Sequence, residues 1–322
     1  MSLALCLLAC GAAPPIACTE ATMQEALSRA VRVAHRAGRN WQKNRACFSC
    51  HHQALPMLAL AEAGHDDAEW MRSQSAQTHE HFRKLTESLT EGKPIGGGAF
   101  TASYGLWALR LAGREPEDTS RAIVEYLLKT QRKDGSWSPV CIRPPSQESE
   151  VALAMLALVQ MRHHASEAQK PRVAKAEARA LAWLGRTKDV RTEDLAFRAW
   201  GMHQLGQDAG TARAALVAAQ RDDGGWGQGP GRPSDAYATG QALYVLRVTG
   251  AEDEACRQAA WWLVRNQLPD GSWKVVTRAR PVQREFDNGD PHGKSQFLSV
   301  AATSWAAAGL ARMARTKASG GP

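Results

Sequence analysis

Three stretches of this chain repeat one pattern, and the pattern restricts the fold more than any other feature does. Residues 126–137 (YLLKTQRKDGSW), 216–226 (LVAAQRDDGGW) and 262–273 (WLVRNQLPDGSW) each read as a helix ending in Gln, a tight turn, then Trp. The turn glycines Gly135, Gly224 and Gly271 suit a backbone with positive φ. The Gln side chain is placed to cap neighbouring backbone groups, and the Trp to stack on the next repeat. Gln131, Gln220 and Gln267 lie 89 and 47 residues apart. The first interval is close to two repeats, so a worn copy is expected between them. Residues 178–187, around Trp183, supply it, with the Gln and the Gly-x-Trp lost.

A second kind of helix follows each of these, rich in Ala, Gly, Ser and small apolar residues. Six begin near His52, Phe100, Ser149, Glu193, Asp235 and Ser295. Their apolar residues recur at helical spacing, with no competing strand alternation. Six partner helices are expected near residues 22–38, 68–91, 118–131, 171–187, 209–220 and 253–267. Two helices per repeat at this period mean stacked helical hairpins. Small residues on the second set suit an inner ring, where backbones approach closely. The expected fold is all-α, an (α/α)6 toroid of six helical hairpins.

The Gln-x(3)-Gly-x-Trp stretches resemble the QW motif of the squalene-cyclase and protein-prenyltransferase repeat family. The Gly-rich run from Gly224 to Asp235-Ala-Tyr237 resembles that family's turn and inner-helix start. The resemblance implies an α/α toroid over residues 20–316. It speaks less to activity, since unrelated functions share a fold. The Asp-x-Asp-Asp acid motif of squalene-type cyclases is not present. The prenyltransferase zinc ligands are also incomplete, because Tyr237 stands two residues after Asp235 where a Cys would be needed. Whether the chain is an enzyme stays open at this level. Cys47…His51-His52-Gln53 and the run from Phe286 to Phe297 resemble motifs of a group of exported bacterial QW-repeat proteins.

Cys47-Phe48-Ser49-Cys50-His51 reads C-x-x-C-H, the pattern for covalent attachment of a c-type haem, as in cytochromes c. On that reading Cys47 and Cys50 form the thioethers and His51 ligates the iron. The bland alternative is a pair of small thiols beside a surface His, structural or redox-active. A zinc site from Cys47, Cys50, His51 and His52 is poor, since four ligands within six residues hardly close a tetrahedron.

The start of the chain agrees with export. Residues 1–19 read as a signal peptide, with an apolar run from Leu3 to Ala13. Leu7-Leu8-Ala9-Cys10 reads equally as a lipoprotein box, with Cys10 lipidated. A periplasmic or secreted protein is therefore expected, with or without a lipid anchor. No later segment approaches 18 uninterrupted apolar residues, so no membrane span is expected. Residues 317–322 are expected to be a disordered tail. The chain has 322 residues, is 44% hydrophobic and carries a net charge of +8. Its Lys and Arg residues are scattered, which argues against nucleic acid and allows an acidic partner or an anionic membrane surface. The partners expected are a redox protein or an apolar small molecule.

In a ring of hairpins, every outer-to-inner connection lies on one rim. Those connections hold the C-F-S-C-H run, the glycine-rich loops and the long segment from Lys274 to Lys294, so function is expected there. Repeat six must abut repeat one. The loop carrying His292 should then approach the haem motif, with His292 as second axial ligand or distal donor. Alternatively, Asp-Pro-His-Gly is only a turn capped by Asp290. Tyr104, Trp107, Trp200, Tyr237, Tyr244 and Trp305 fall on inner helices, as core or as the lining of an apolar cavity.

The leading expectation is an exported toroid with one covalent haem c, in electron transfer or haem-based oxidation of an apolar substrate. The alternatives are an isoprenoid cyclase-like enzyme and a non-catalytic toroid that binds lipid or protein.

Overall fold

The computed structural model describes residues 19–65, 67–251, 254–280 and 286–318. The signal-peptide reading and most of the expected tail lie outside these residues.

The described residues form thirteen α-helices and no strand. The inner ring is α2 (Leu55–Ala63), α5 (Gly98–Leu111), α7 (Glu150–His164), α9 (Thr192–Gln204), α11 (Ala236–Val248) and α13 (Gln296–Ala318). The outer ring is α1 (Glu20–Asn44), α3 (Ala68–Arg83) with α4 (Thr86–Glu91), α6 (Asp118–Thr130), α8 (Lys170–Leu184), α10 (Gly210–Ala218) and α12 (Glu254–Arg265). Each inner helix packs on the next, and α13 returns to α1 and α2, so the ring closes. This is the expected all-α toroid of six hairpins. One difference is local: the helix expected over 68–91 breaks after Arg83. The break is a tight turn in which Leu85 N–H donates to the Phe82 carbonyl at 2.9 Å.

The two helix sets differ as their burial requires. Outer helices α1 and α12 are amphipathic, with one buried face. Inner helices are buried on nearly every side: α7 buries Val151 through Met161 without a gap. Close approach needs small residues. A Cβ on Gly240 of α11 would lie 2.4 Å from the backbone nitrogen of Ala306 on α13.

The Gln-Trp turns act as staples between hairpins. Gln131 Nε2 donates to the Gly135 carbonyl of its own turn (3.0 Å) and to the Ala176 carbonyl of α8 (2.8 Å). Gln220 repeats this with Gly224 and Ala255. Gln267 repeats it with Gly271 and, across the ring closure, with Ala26 of α1 at 2.8 Å. Trp137, Trp226 and Trp273 each donate from the indole N–H to a carbonyl ten residues back, on the preceding outer helix. In the worn copy, which lacks the Gln, Arg198 of α9 holds the turn within its own hairpin. It donates to the Leu184 and Thr187 carbonyls and pairs with Asp189.

Cys47, Cys50 and Cys141 are free thiols, and Cys256 is buried on α12. No helix among the described residues is long and apolar enough to cross a membrane.

Candidate functional site

The outer-to-inner connections gather on one rim, and a cavity of about 310 Å3 opens there. Connections 45–49, 131–149 and 266–295 build most of its wall, with Trp41 of α1 and Thr101 of α5. Trp41, Phe48, Pro144, Phe297 and Leu298 make an apolar side. Arg143, Arg280 and Lys294 bring positive charge, and none makes an ion pair among the described residues. Gln147 Oε1 and Gln296 Nε2 are buried in the same wall without a hydrogen-bond partner. Such a cavity suits an apolar molecule with an anionic end: three cations and the spare Gln296 N–H stand beside an apolar wall.

The C-F-S-C-H run forms part of this wall. It is not one helix. Ser49 caps a π-helical turn, Cys50–Ala54, and Cys47 lies before it in irregular chain. The Cys47 carbonyl accepts from Trp41 Nε1 at 2.9 Å. Cys50 and His51 line the cavity, whereas Cys47 does not. His51 Nε2 shares a 2.8 Å hydrogen bond with Ser146 Oγ, and Nδ1 lies 3.3 Å from Cys50 Sγ. Burial pushes the Cys50 thiol up to about 12, which keeps it protonated. Burial, with Arg143 nearby, pushes His51 down to about 4, so its ring is neutral. The motif therefore does not offer two thiols and a free imidazole to one space, and the residues as placed do not fit a covalent haem.

Ring closure brings the 286–297 loop over this motif. His52 stacks on Trp41 at 4.8 Å, meets Phe297 edge-on at 5.1 Å and bonds to Asn288. The Arg45 guanidinium sits 4.4 Å over the Phe286 ring. His292 turns elsewhere. Its Nε2 shares a 2.7 Å hydrogen bond with Ser272 Oγ of the third Gln-Trp turn, and its N–H donates to Asp290 Oδ1 at 3.0 Å. It does not line the cavity. The described residues hold no group of three or more His, Cys, Asp or Glu arranged to bind a metal ion.

The inner ring contains a group that the sequence reading passed over. Glu193, near the start of α9, is 2% exposed. Tyr237 OH donates to its Oε1 at 2.8 Å, and its Oε2 has no hydrogen-bond partner. Burial, with Asp194 beside it, raises Glu193 to about 8, so the carboxyl holds its proton at neutral pH. Nearby polar atoms are also unspent. The Tyr104 hydroxyl, Trp305 Nε1 and both amide atoms of Gln241 lack a partner of ordinary geometry. Buried groups left unpaired in this way call for an explanation.

Aromatic rings of the inner helices pack on one another. Trp107 lies 5.3 Å from Trp200 and 6.1 Å from Trp305, and Tyr244 lies 5.6 Å from Trp305. The space they enclose is too small for a water molecule. The expected aromatic lining is thus a filled core in this conformation. Nothing local in the sequence marks Glu193, since α9 also carries Asp194, Arg198 and His203.

No family model matches the chain. Drimenyl diphosphate synthase from Streptantibioticus cattleyicolor is 29% identical over 230 residues, covering 60% of this chain and 40% of that protein. The chain therefore matches less than half the length of that relative. Among solved structures, type II terpene cyclase MstE from Scytonema, in complex with geranylgeranyl dihydroxybenzoate, superposes with a TM-score of 0.62 at 13% identity. The match covers 91% of this chain and 98% of that one. A polysaccharide lyase matches with a TM-score of 0.54, also at 13% identity, over 91% and 98% of the two chains. The structural likenesses establish a terpenoid-cyclase-like toroid fold.

These similarities correct the expected function. The chain's relative and its structural neighbour MstE are terpene synthase and cyclase proteins, and the isoprenoid cyclase-like alternative fits them better than electron transfer through a haem.

Proposed function

We propose that this toroid acts on an isoprenoid-type molecule with an anionic end, by cyclase-like protonation of a carbon–carbon double bond. The observation that carries the reading is Glu193, a neutral carboxylic acid buried in the inner ring and bonded to Tyr237. The similarity to drimenyl diphosphate synthase supports it.

On this reading Arg143, Arg280 and Lys294 hold the anionic end in the rim cavity, and the apolar wall directs the hydrocarbon inward. The Glu193 carboxyl transfers its proton to an alkene carbon and becomes a carboxylate. The carbocation left on the neighbouring carbon is attacked by a second double bond, closing a ring. Tyr104, Tyr237 and Trp305 face the positive charge with their π systems. Loss of a proton from carbon to water ends the sequence, and water returns a proton to Glu193. Glu193 takes the role that an Asp-x-Asp-Asp motif fills in squalene-type cyclases. Access requires the packed aromatic side chains to turn aside for the substrate.

That closed packing favours a second reading, a toroid that binds such a lipid in the rim cavity without turning it over. One experiment separates the two. The protein is incubated with farnesyl and geranylgeranyl diphosphates, and products are analysed by mass spectrometry beside a direct binding measurement. The cyclase reading expects cyclic isomers from the wild type, and from Glu193→Gln binding without product. Binding without product from both proteins would leave the lipid-binding reading. Absence of binding would reject both.

A further inference from the structure

Five large apolar side chains stand exposed among the described residues, and four share the loop rim: Val140 (61%), Ile142 (72%), Val190 (59%) and Val276 (68%). The fifth, Trp261, lies on the outer wall with the Arg265 guanidinium 4.2 Å over its ring. The four belong to connections 131–149, 185–191 and 266–295. Glu148 joins these three connections through Arg191 (3.5 Å) and Arg278 (3.7 Å). Ile142 and Val190 line one shallow groove. Ile142 adjoins Arg143, and Val276 adjoins Thr277, both on the cavity wall.

The same rim is positive. Its six connections hold fourteen Lys or Arg and nine Asp or Glu among the described residues. The inner-to-outer turns at the opposite end, 64–67, 112–117, 165–169, 205–209 and 249–251, hold Asp67, Glu115, Glu117, Glu167 and Asp208 against Arg114 alone. Apolar side chains coincide with the cationic rim of the toroid, and two of them, Ile142 and Val276, adjoin residues of the cavity wall.

We propose that this rim seats on an anionic lipid bilayer. Val140, Ile142, Val190 and Val276 enter the boundary between headgroups and acyl chains. The surrounding Lys and Arg residues meet the anionic headgroups, and this attraction orients the rim toward the membrane. The cavity mouth then faces the membrane, so an apolar ligand reaches it without crossing water. The docking rests on the surface of the rim and not on the chemistry of Glu193.

Co-flotation with vesicles tests it. The probes are phosphatidylcholine vesicles, with and without phosphatidylglycerol. The wild type should float with the anionic vesicles only, and release as salt rises within the Debye-screening range. Ile142→Asp with Val276→Asp should lower the partition coefficient about ten-fold or more. Trp261→Ala, on the outer wall, should leave it unchanged, and circular dichroism should show all variants folded. No flotation at low salt would overturn the proposal. So would equal flotation on neutral vesicles, or equal flotation of the double variant. Capture by an acidic protein with no vesicle binding would reassign the rim to a protein partner.

Discussion

Glu193→Gln should stabilise this protein, and by an amount that grows with pH. The ordinary value for Glu is 4.5, and burial raises Glu193 to about 8 in the fold. The folded state keeps this proton across that window, while the unfolded chain releases it. The stability so gained is fully present below about pH 4.5 and is lost as pH rises through about 8. At 1.36 kcal/mol per unit, the whole shift corresponds to about 5 kcal/mol. Gln is neutral at every pH, keeps nearly the same volume, and its Oε1 can still accept from Tyr237. The variant therefore escapes the loss. Asp290 and Asp235, raised by burial to about 7 and about 6, titrate in the same window but act equally in both proteins. The assay is urea unfolding of wild type and variant at pH 5, 7 and 8.5. The difference between them should widen by about 3–5 kcal/mol from the lowest pH to the highest. Parallel stability curves would refute the buried, protonated carboxyl.

Other outcomes follow from single contacts. Gln267→Ala removes the staple to Ala26 that closes the ring, and should cost about 1–3 kcal/mol with faster hydrogen exchange in α1. Gly240→Ala forces a Cβ onto the Ala306 backbone at 2.4 Å and should destabilise by about 1–3 kcal/mol in thermal or urea unfolding, since backbone cannot yield as a side chain does. In the native protein at pH 8, Cys47 should react with a thiol reagent well before Cys50. Burial holds the Cys50 thiol near 12, and a peptide map after alkylation reads the order.

The fold was legible because its determinants are local and repeated. Gln131, Gln220 and Gln267 each precede their glycine by four residues, and each turn is complete within about a dozen residues. Ring closure then follows from topology alone, and it correctly brought the Phe286–Phe297 loop to the first connection. The site was less legible, because its properties come from distant neighbours. His51 meets Ser146, which lies 95 residues away. His292 was free in sequence to point toward the C-x-x-C-H run or toward its own turn. The hydroxyl of Ser272, at 2.7 Å, holds it on the second course. Glu193 looked like an ordinary charged residue at the start of a helix. Only the assembled ring, with Tyr237 reaching it across 44 residues, makes it a buried acid. The motif that weighed most in sequence, C-F-S-C-H, is split by a change of backbone at Ser49, which places Cys47 outside the cavity that Cys50 and His51 line.

Deuterium reports directly where the proton that starts cyclisation comes from. The protein is incubated with farnesyl or geranylgeranyl diphosphate in D2O, and the products are weighed by mass spectrometry. A cyclic product carrying one carbon-bound deuterium should form with the wild type and not with Glu193→Gln. Cyclic product without deuterium, or equal turnover by Glu193→Gln, would contradict protonation by Glu193.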